Sequence, residues 1–291
     1  MAPPQGLAAD LTALGYLPPG GNEKYALRRF QRRALSDTRQ ARAGGSLCVV
    51  PTFRGRVTGV ADQATLDEIA LWKKWGYVAP LGIYRLDSVR GGGMLRDDVA
   101  AAWNNLVTKI ASLGGTIAGP YGDTKRPLMK SRKVGASKYS FHTAGRAIDL
   151  NQALGNHKDQ RYFVVQEPGN GATYWRIHCK TDQQTGSQGK KIEKKTTQAY
   201  RFGDGVLYWI PEGYYLDLTA EIERNGQFER IPAQSGWGPS GSGYNKTEWW
   251  HFQWAGPKEF TFHDEVELIG VTEKELRDSG YTDADLDHAP G

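Results

Sequence analysis

The stretch SKYSFHTAGRAIDL, residues 137 to 150, constrains the fold of this chain more than any other. It sets His142 and Asp149 seven residues apart, with Ala144, Gly145 and Ala147 between them and Ser140 just before. Small residues let a backbone turn tightly and approach its neighbours closely. Two readings follow: a turn leading into a buried strand, or half of a metal site. A second stretch, TEWWHFQW at 247 to 254, has the alternating aromatics of a strand deep in a fold. It also carries Glu248 and His251 among Trp249, Trp250 and Trp254. Charged groups in that much aromatic surface need partners.

Taken together, the two stretches offer His142, Asp149, Glu248 and His251. Zn2+ suits this set, because catalytic zinc takes three nitrogen or carboxylate ligands and leaves a fourth position for water. His142, Asp149 and His251 would be the ligands, and Glu248 would be free as a general base that moves a proton from water to a leaving amine. On a regular strand, residues three apart face opposite sides, so a bulge or turn has to bring Glu248 and His251 to one cleft. Either stretch alone reads more simply as an ion pair or a capped turn. The combination of S-x-H-x-x-G-x-A-x-D with E-x-x-H is far more specific.

The chain has 291 residues and is 39% hydrophobic, enough for one large domain or two smaller ones. No apolar run reaches membrane-span length. The start, MAPPQGLAAD, lacks the basic-then-apolar pattern of a secretory signal, so none is expected. Cys48 and Cys179 do not make a disulfide framework and read as two reduced thiols. The net charge of +5 would favour an anionic polymer, nucleic acid or cell wall, though a plain solvated surface explains it as well.

Helical periodicity and turn signals predict a compact three-helix unit over residues 1 to about 80. Its second helix places Tyr25, Ala26, Leu27, Phe30 and Ala34 on one side and Arg28, Arg29, Arg32 and Arg33 on the other, an outward face that either binds an anionic partner, the preferred reading, or is simply solvated. Its third is capped by Asp62, with Leu66, Ile69 and Ala70 buried. A linker is expected over 81–92, with GGG at 91 to 93 as a hinge or close-approach loop, and then a second domain over 93–265. That domain opens with an amphipathic helix burying Val99, Trp103, Leu106, Ile110 and Leu113. An insertion around 151–245 reads as several strands, a lysine-rich loop and a short helix capped by Asp217. A tail over 266–291 carries a short acidic helix. Of the other histidines, His157 and His288 read as exposed, His178 as a strand residue, and His263 as a local ion pair with Asp264 and Glu265.

SFHTAGRAIDL with EWWH resembles the zinc D-alanyl-D-alanine metallopeptidases, a family of D,D-carboxypeptidases, vancomycin-resistance peptidases and phage endolysins. The resemblance spans roughly residues 85 to 260. It implies that His142, Asp149 and His251 hold zinc and that Glu248 is the catalytic base. The family also has an arginine upstream of the first histidine, which binds the substrate carboxylate or steadies the polarised carbonyl. Its pattern falls on Arg126, with Arg132 as the alternate and a plain surface arginine as the simpler reading. Ser140 either binds substrate or shapes the turn. The hundred residues between Asp149 and Glu248 depart from the family and suggest an elaborated cleft wall. Leu14-Gly15-Tyr16, Phe30-Gln31 and the series Gly59, Asp62, Thr65, Leu66 resemble the small peptidoglycan-binding domain found beside cell-wall hydrolases.

The resulting expectation is an α+β protein, with an N-terminal three-helix peptidoglycan-binding module and a C-terminal zinc peptidase whose helices pack on a small antiparallel sheet. Its partner would be bacterial peptidoglycan, with no nucleic acid and no membrane span, and it would act on the wall as a monomer. A phage endolysin is the leading form and a bacterial wall-remodelling carboxypeptidase the second. A wall-binding or virion structural protein with a structural metal is the rival from another class.

Overall fold

A computed structural model of the chain describes residues 6–36, 39–41, 47–48, 53–128, 137–155, 160–169, 171–256 and 260–290. The fold is α+β. Its contacts divide it into two compact units, one of Met1–Arg85, Leu128–Ser140 and Pro257–Gly291, the other of Leu86–Pro127 and Phe141–Gly256. Among the described residues no helix is long and apolar enough to cross a membrane.

In the first unit, helices run over Leu7–Ala13, Glu23–Leu35 and Gln63–Trp75. Asn22 and Asp62 cap the second and third by accepting hydrogen bonds from the amides of Tyr25 and Thr65, at 3.1 and 2.9 Å. Leu11, Tyr16, Phe30, Ile69 and Trp72 form the core, with the Phe30 and Trp72 rings edge to face at 5.2 Å. The buried stripe of the third helix is Thr65, Glu68, Ile69 and Trp72, spaced by helical turns. Leu66 is therefore only half-buried, and Ala70, expected inside, faces solvent.

These helices do not make up the unit alone. Arg39–Ala41 pairs with Leu47–Cys48 and with Tyr77–Val78 in a small sheet. The segment expected as a tail contributes three short helices, Phe262–Glu267, Glu273–Asp278 and Asp283–Leu286. Each is started by a threonine whose capping box closes on the acid three residues on. The arginine face is also corrected. Arg29, Arg32 and Arg33 are buried, while Arg28 is part-buried and pairs with Asp287. Arg32 Nε lies 2.7 Å from Asp264 Oδ2, Arg33 Nε lies 3.6 Å from Asp264 Oδ1, and Arg29 pairs with Glu267. Buried charge is tolerated only when paired, so the acids of the C-terminal helices explain why this face can be inside. Burial alone would raise the Asp264 carboxyl, but Arg32, Arg33 and Arg29 hold it well below the usual range.

Among the described residues the His263 ring is placed against Tyr25 and in no ion pair. It is buried, with Nδ1 2.7 Å from the Tyr25 hydroxyl, and burial followed by the Arg29 charge pushes its pKa well down. His288 is exposed and stacks on Tyr139 at 3.8 Å. His157 lies outside the described residues.

The second unit starts earlier than expected. Leu86–Ser88, within the expected linker, pairs with Met94–Arg96 as a hairpin around the three glycines. All three have positive φ, and a Cβ on Gly91 would lie 2.8 Å from the Gly119 amide nitrogen. Helix Asp97–Ser112 follows and buries Val99, Trp103, Leu106 and Ile110. Trp103 packs on Phe228 at 5.1 Å and donates to the Tyr121 hydroxyl at 3.0 Å.

Two sheets complete this unit. The smaller is antiparallel, in the order Phe228–Arg230, His251–Trp254, Ala147–Asp149. The larger has six strands and lies wholly within the insertion, in the order Val206–Trp209, Gln198–Arg201, Tyr162–Gly169, Ala172–Lys180, Gly213–Asp217, Lys190–Ile192. The last of these comes from the lysine-rich segment expected as a loop. Asp217 caps helix Leu218–Glu223 through the Ala220 amide. One continuous core, including Trp103, Ile148, Val164, Trp175, Ile177, Trp249 and Phe252, joins the helix and both sheets. Cys179 is a free buried thiol, pushed up to about 11 by burial, and His178 beside it is a half-buried strand residue. The Cys48 side chain lies outside the described residues.

Candidate metal centre

The small sheet creates the site through its register. His251 pairs directly with Asp149, Phe252 with Ile148, and Gln253 with Ala147. Directly opposed residues project to the same face, and successive residues alternate. Ile148 and Phe252 therefore enter the core together, fully buried. His251 and Asp149 meet on the other face, with His251 Nδ1 3.0 Å from Asp149 Oδ1.

His142 arrives from the turn before the Ala147–Asp149 strand. Its Nε2 lies 3.2 Å from Asp149 Oδ1 and 3.3 Å from His251 Nδ1. Its Nδ1 lies 2.7 Å from the Thr124 carbonyl oxygen, which can only accept a hydrogen bond. The Nδ1 proton is thereby fixed and the Nε2 lone pair turns toward the cluster, the arrangement that orients metal-binding histidines. Gly145 makes the turn possible. It has φ 68°, and a Cβ there would sit 2.8 Å from the Arg96 amide nitrogen, whose N–H donates to the Gly145 carbonyl at 2.9 Å. The glycine of the motif thus serves a left-handed backbone and a close approach at once.

His142, Asp149 and His251 are all buried, and their donor atoms lie within 4.8 Å of one another. The group could hold a metal ion. Ligand atoms arranged tetrahedrally at zinc-like bond lengths stand roughly 3.3–3.5 Å apart, and the separations here are 3.0, 3.2 and 3.3 Å. Two imidazole lone pairs and a carboxylate crowded this closely repel unless a cation lies between them. Burial would raise the Asp149 carboxyl, but the His142 and His251 rings against it hold it well below the usual range.

Glu248 answers the question of facing. It has φ 55°, one of two non-glycine residues with positive φ among those described. The His251 amide donates back to the Glu248 carbonyl at 3.1 Å, so a turn precedes the strand, which begins at His251. A left-handed non-glycine residue costs on the order of 1–3 kcal/mol, and surrounding structure must hold it there. Trp249 and Trp250 do so, Trp249 stacked on Phe202 at 5.4 Å and Trp250 against Tyr244 at 5.1 Å. Burial raises the Glu248 carboxyl, and the His251, Asp149 and Arg126 charges all act on it. It stays outside the three-residue group.

Arg126 is part-buried beside the cluster. Its Nε binds the Asp123 carboxylate, its Nη2 lies 4.0 Å from Asp149 Oδ2, and its amide donates to the His142 carbonyl at 3.1 Å. Arg132 lies outside the described residues. Ser140 is buried at the end of the Leu128–Ser140 segment, which belongs to the first unit. Three contributors escape sequence reasoning. Thr124 acts through its carbonyl, which no residue type signals. Asp123 bridges to Asp149 beside the strand, a pairing known only from the fold. Gln234, whose Nε2 donates to Glu248 Oε1, comes from the loop fourteen residues upstream. No family model matches the chain, and neither does any curated protein or solved structure.

Proposed function

We propose that this chain is a zinc-dependent peptidase that cuts the stem peptide of bacterial peptidoglycan. The observation that carries this reading is a three-donor group, His142, Asp149 and His251, with a carboxylate, Glu248, on a left-handed turn next to the His251 strand, close enough for the His251 and Asp149 charges to act on it but outside the donor group. A structural metal site has no use for such a fourth group, which is why the enzyme reading outranks a wall-binding protein with a structural metal. Zinc held there would supply Lewis acidity and lower the pKa of a coordinated water.

The chain's own residues do the rest. Thr124 turns the His142 Nε2 lone pair inward, and the strand register sets His251 against Asp149. Glu248, with its carboxyl raised by burial, takes a proton from water and hands it to the leaving amine. Arg126 offers a guanidinium to a terminal carboxylate or a polarised carbonyl, which suits a D-Ala-D-Ala carboxypeptidase; an endopeptidase of the same kind would use the latter role. The helices around Leu14-Gly15-Tyr16 and Phe30-Gln31 serve as the peptidoglycan-binding module, and tethering raises the local concentration of an insoluble substrate. A phage endolysin fits this pairing, with a bacterial wall-remodelling carboxypeptidase as the second form.

The test is digestion of purified peptidoglycans of several crosslink chemistries by the wild type and by Glu248→Gln, with released muropeptides identified by mass spectrometry. A new product from the wild type alone, with equal zinc content in both proteins, supports the reading and names the bond. No product from either removes the enzyme reading.

A further inference from the structure

We propose that Gln234 is the positioning residue for Glu248, and that the inserted six-stranded sheet exists in part to hold it there. This inference rests on the peptidase reading above. A carboxylate on a short turn has two free side-chain torsions beyond Cβ, and proton transfer needs it in one orientation. Among the described residues, the side-chain hydrogen bond that restrains Glu248 comes from Gln234, whose Nε2–H donates to Oε1.

Gln234 sits fourteen residues before Glu248, on the loop after strand Phe228–Arg230, and the larger sheet fastens that loop. The Ala233 amide donates to the Thr173 carbonyl at 2.8 Å, and Thr173 lies on the strand Ala172–Lys180. The Gln234 amide donates to the Lys246 carbonyl at 2.8 Å, which ties the loop to the approach to Glu248. Trp237 packs edge to face on Trp175 of that same strand at 5.2 Å. Farther along, the Gly203 amide donates to the Pro239 carbonyl at 3.0 Å, and Gly203 follows the strand Gln198–Arg201. Both anchoring strands belong to the larger sheet, so the loop that carries Gln234 is mounted on the insertion at two points. Phe202, stacked on Trp249, fixes the turn that carries Glu248 from the same sheet. The donor and the acceptor of the Gln234–Glu248 bond are therefore both fastened to residues on or next to one sheet.

The deciding experiment replaces Gln234 by Met, which keeps the length and loses the donor, and by Glu, which places a like charge against Glu248. Each variant is assayed for kcat and KM on the muropeptide the wild type cleaves, for zinc content and for thermal unfolding. Both are expected to lose roughly 10- to 100-fold in kcat with KM, zinc content and melting temperature unchanged. A crystal structure of Gln234→Met is expected to show the Glu248 carboxylate rotated from its wild-type place. Unchanged kcat overturns the proposal, as does a KM increase at full kcat, which would make Gln234 a substrate contact. An unmoved carboxylate overturns it whatever the activity. A wild type without turnover would count against the peptidase reading instead, and the crystallographic comparison would still decide whether Gln234 holds Glu248.

Discussion

Replacing Gly145 with alanine probes the turn that joins His142 to Asp149. The residue has φ 68°, where an L side chain costs roughly 1–2 kcal/mol. The new Cβ would also meet the Arg96 nitrogen at 2.8 Å, the Leu86 Cδ2 at 3.3 Å and the Leu95 carbonyl carbon at 3.4 Å. Two of these atoms are backbone leading into helix Asp97–Ser112, so they cannot swing away as a side-chain tip would. Overpacking of this kind adds about 1–3 kcal/mol, for a total of about 2–5 kcal/mol. Gly226→Ala is the control. It has φ 64° in the same unit with nothing within 4 Å of its Cβ position, so it should cost the backbone part alone. Urea unfolding of both variants, followed by tryptophan fluorescence, gives the difference directly. The same titrations with zinc added test the link to the site. A metal at about 100 times its dissociation constant stabilises the folded form by about 2.7 kcal/mol. Gly145→Ala should lose most of that increment, because the Gly145 amide donates to the His142 carbonyl at 3.0 Å and any shift of the turn moves the imidazole. Equal stability losses in the two variants, with the zinc increment intact in both, would refute the reasoning.

Removing the metal with a chelator should lower the melting transition of the second unit and leave that of the first unchanged, as differential scanning calorimetry would register, since all three donors lie in the second. Asp264→Asn should destabilise the first unit by about 3–5 kcal/mol in denaturant titration, because it leaves Arg32 and Arg33 buried with their shared carboxylate gone. The first unit should also weaken on mild acidification. The His263 pKa is depressed by burial and by Arg29, Arg33 and Arg32, with Asp264 opposing, so below about pH 6.5 the unfolded chain takes up a proton that the folded unit refuses. Stability is then full above that pH and falls by up to about 1.4 kcal/mol per unit below it. Urea midpoints between pH 7 and 5 should show this slope for the wild type and lose it in His263→Gln.

Much of this protein was legible before any coordinates. The helix at 97–112 could be read because Val99, Trp103, Leu106 and Ile110 repeat at helical spacing, and the caps at Asp62 and Asp217 because capping is local chemistry. His142, Asp149 and His251 could be named because ligand residue types are few and their framing small residues answer to backbone geometry. Even the need for a turn at Glu248 followed from strand alternation, which no sequence of that spacing can escape. Tertiary structure decided what depends on partners remote in the chain. Arg29, Arg32 and Arg33 look like a solvated face until Asp264 and Glu267 arrive from more than two hundred residues away. His263 looks like an ion pair until Tyr25 takes its ring nitrogen. Strand register, set by the pairing of 147–149 with 251–254, alone makes His251 and Asp149 neighbours. The Thr124 carbonyl and the Gln234 amide reach the site only through folding, because a hydrogen bond depends on where two atoms come to lie and residue type does not encode that.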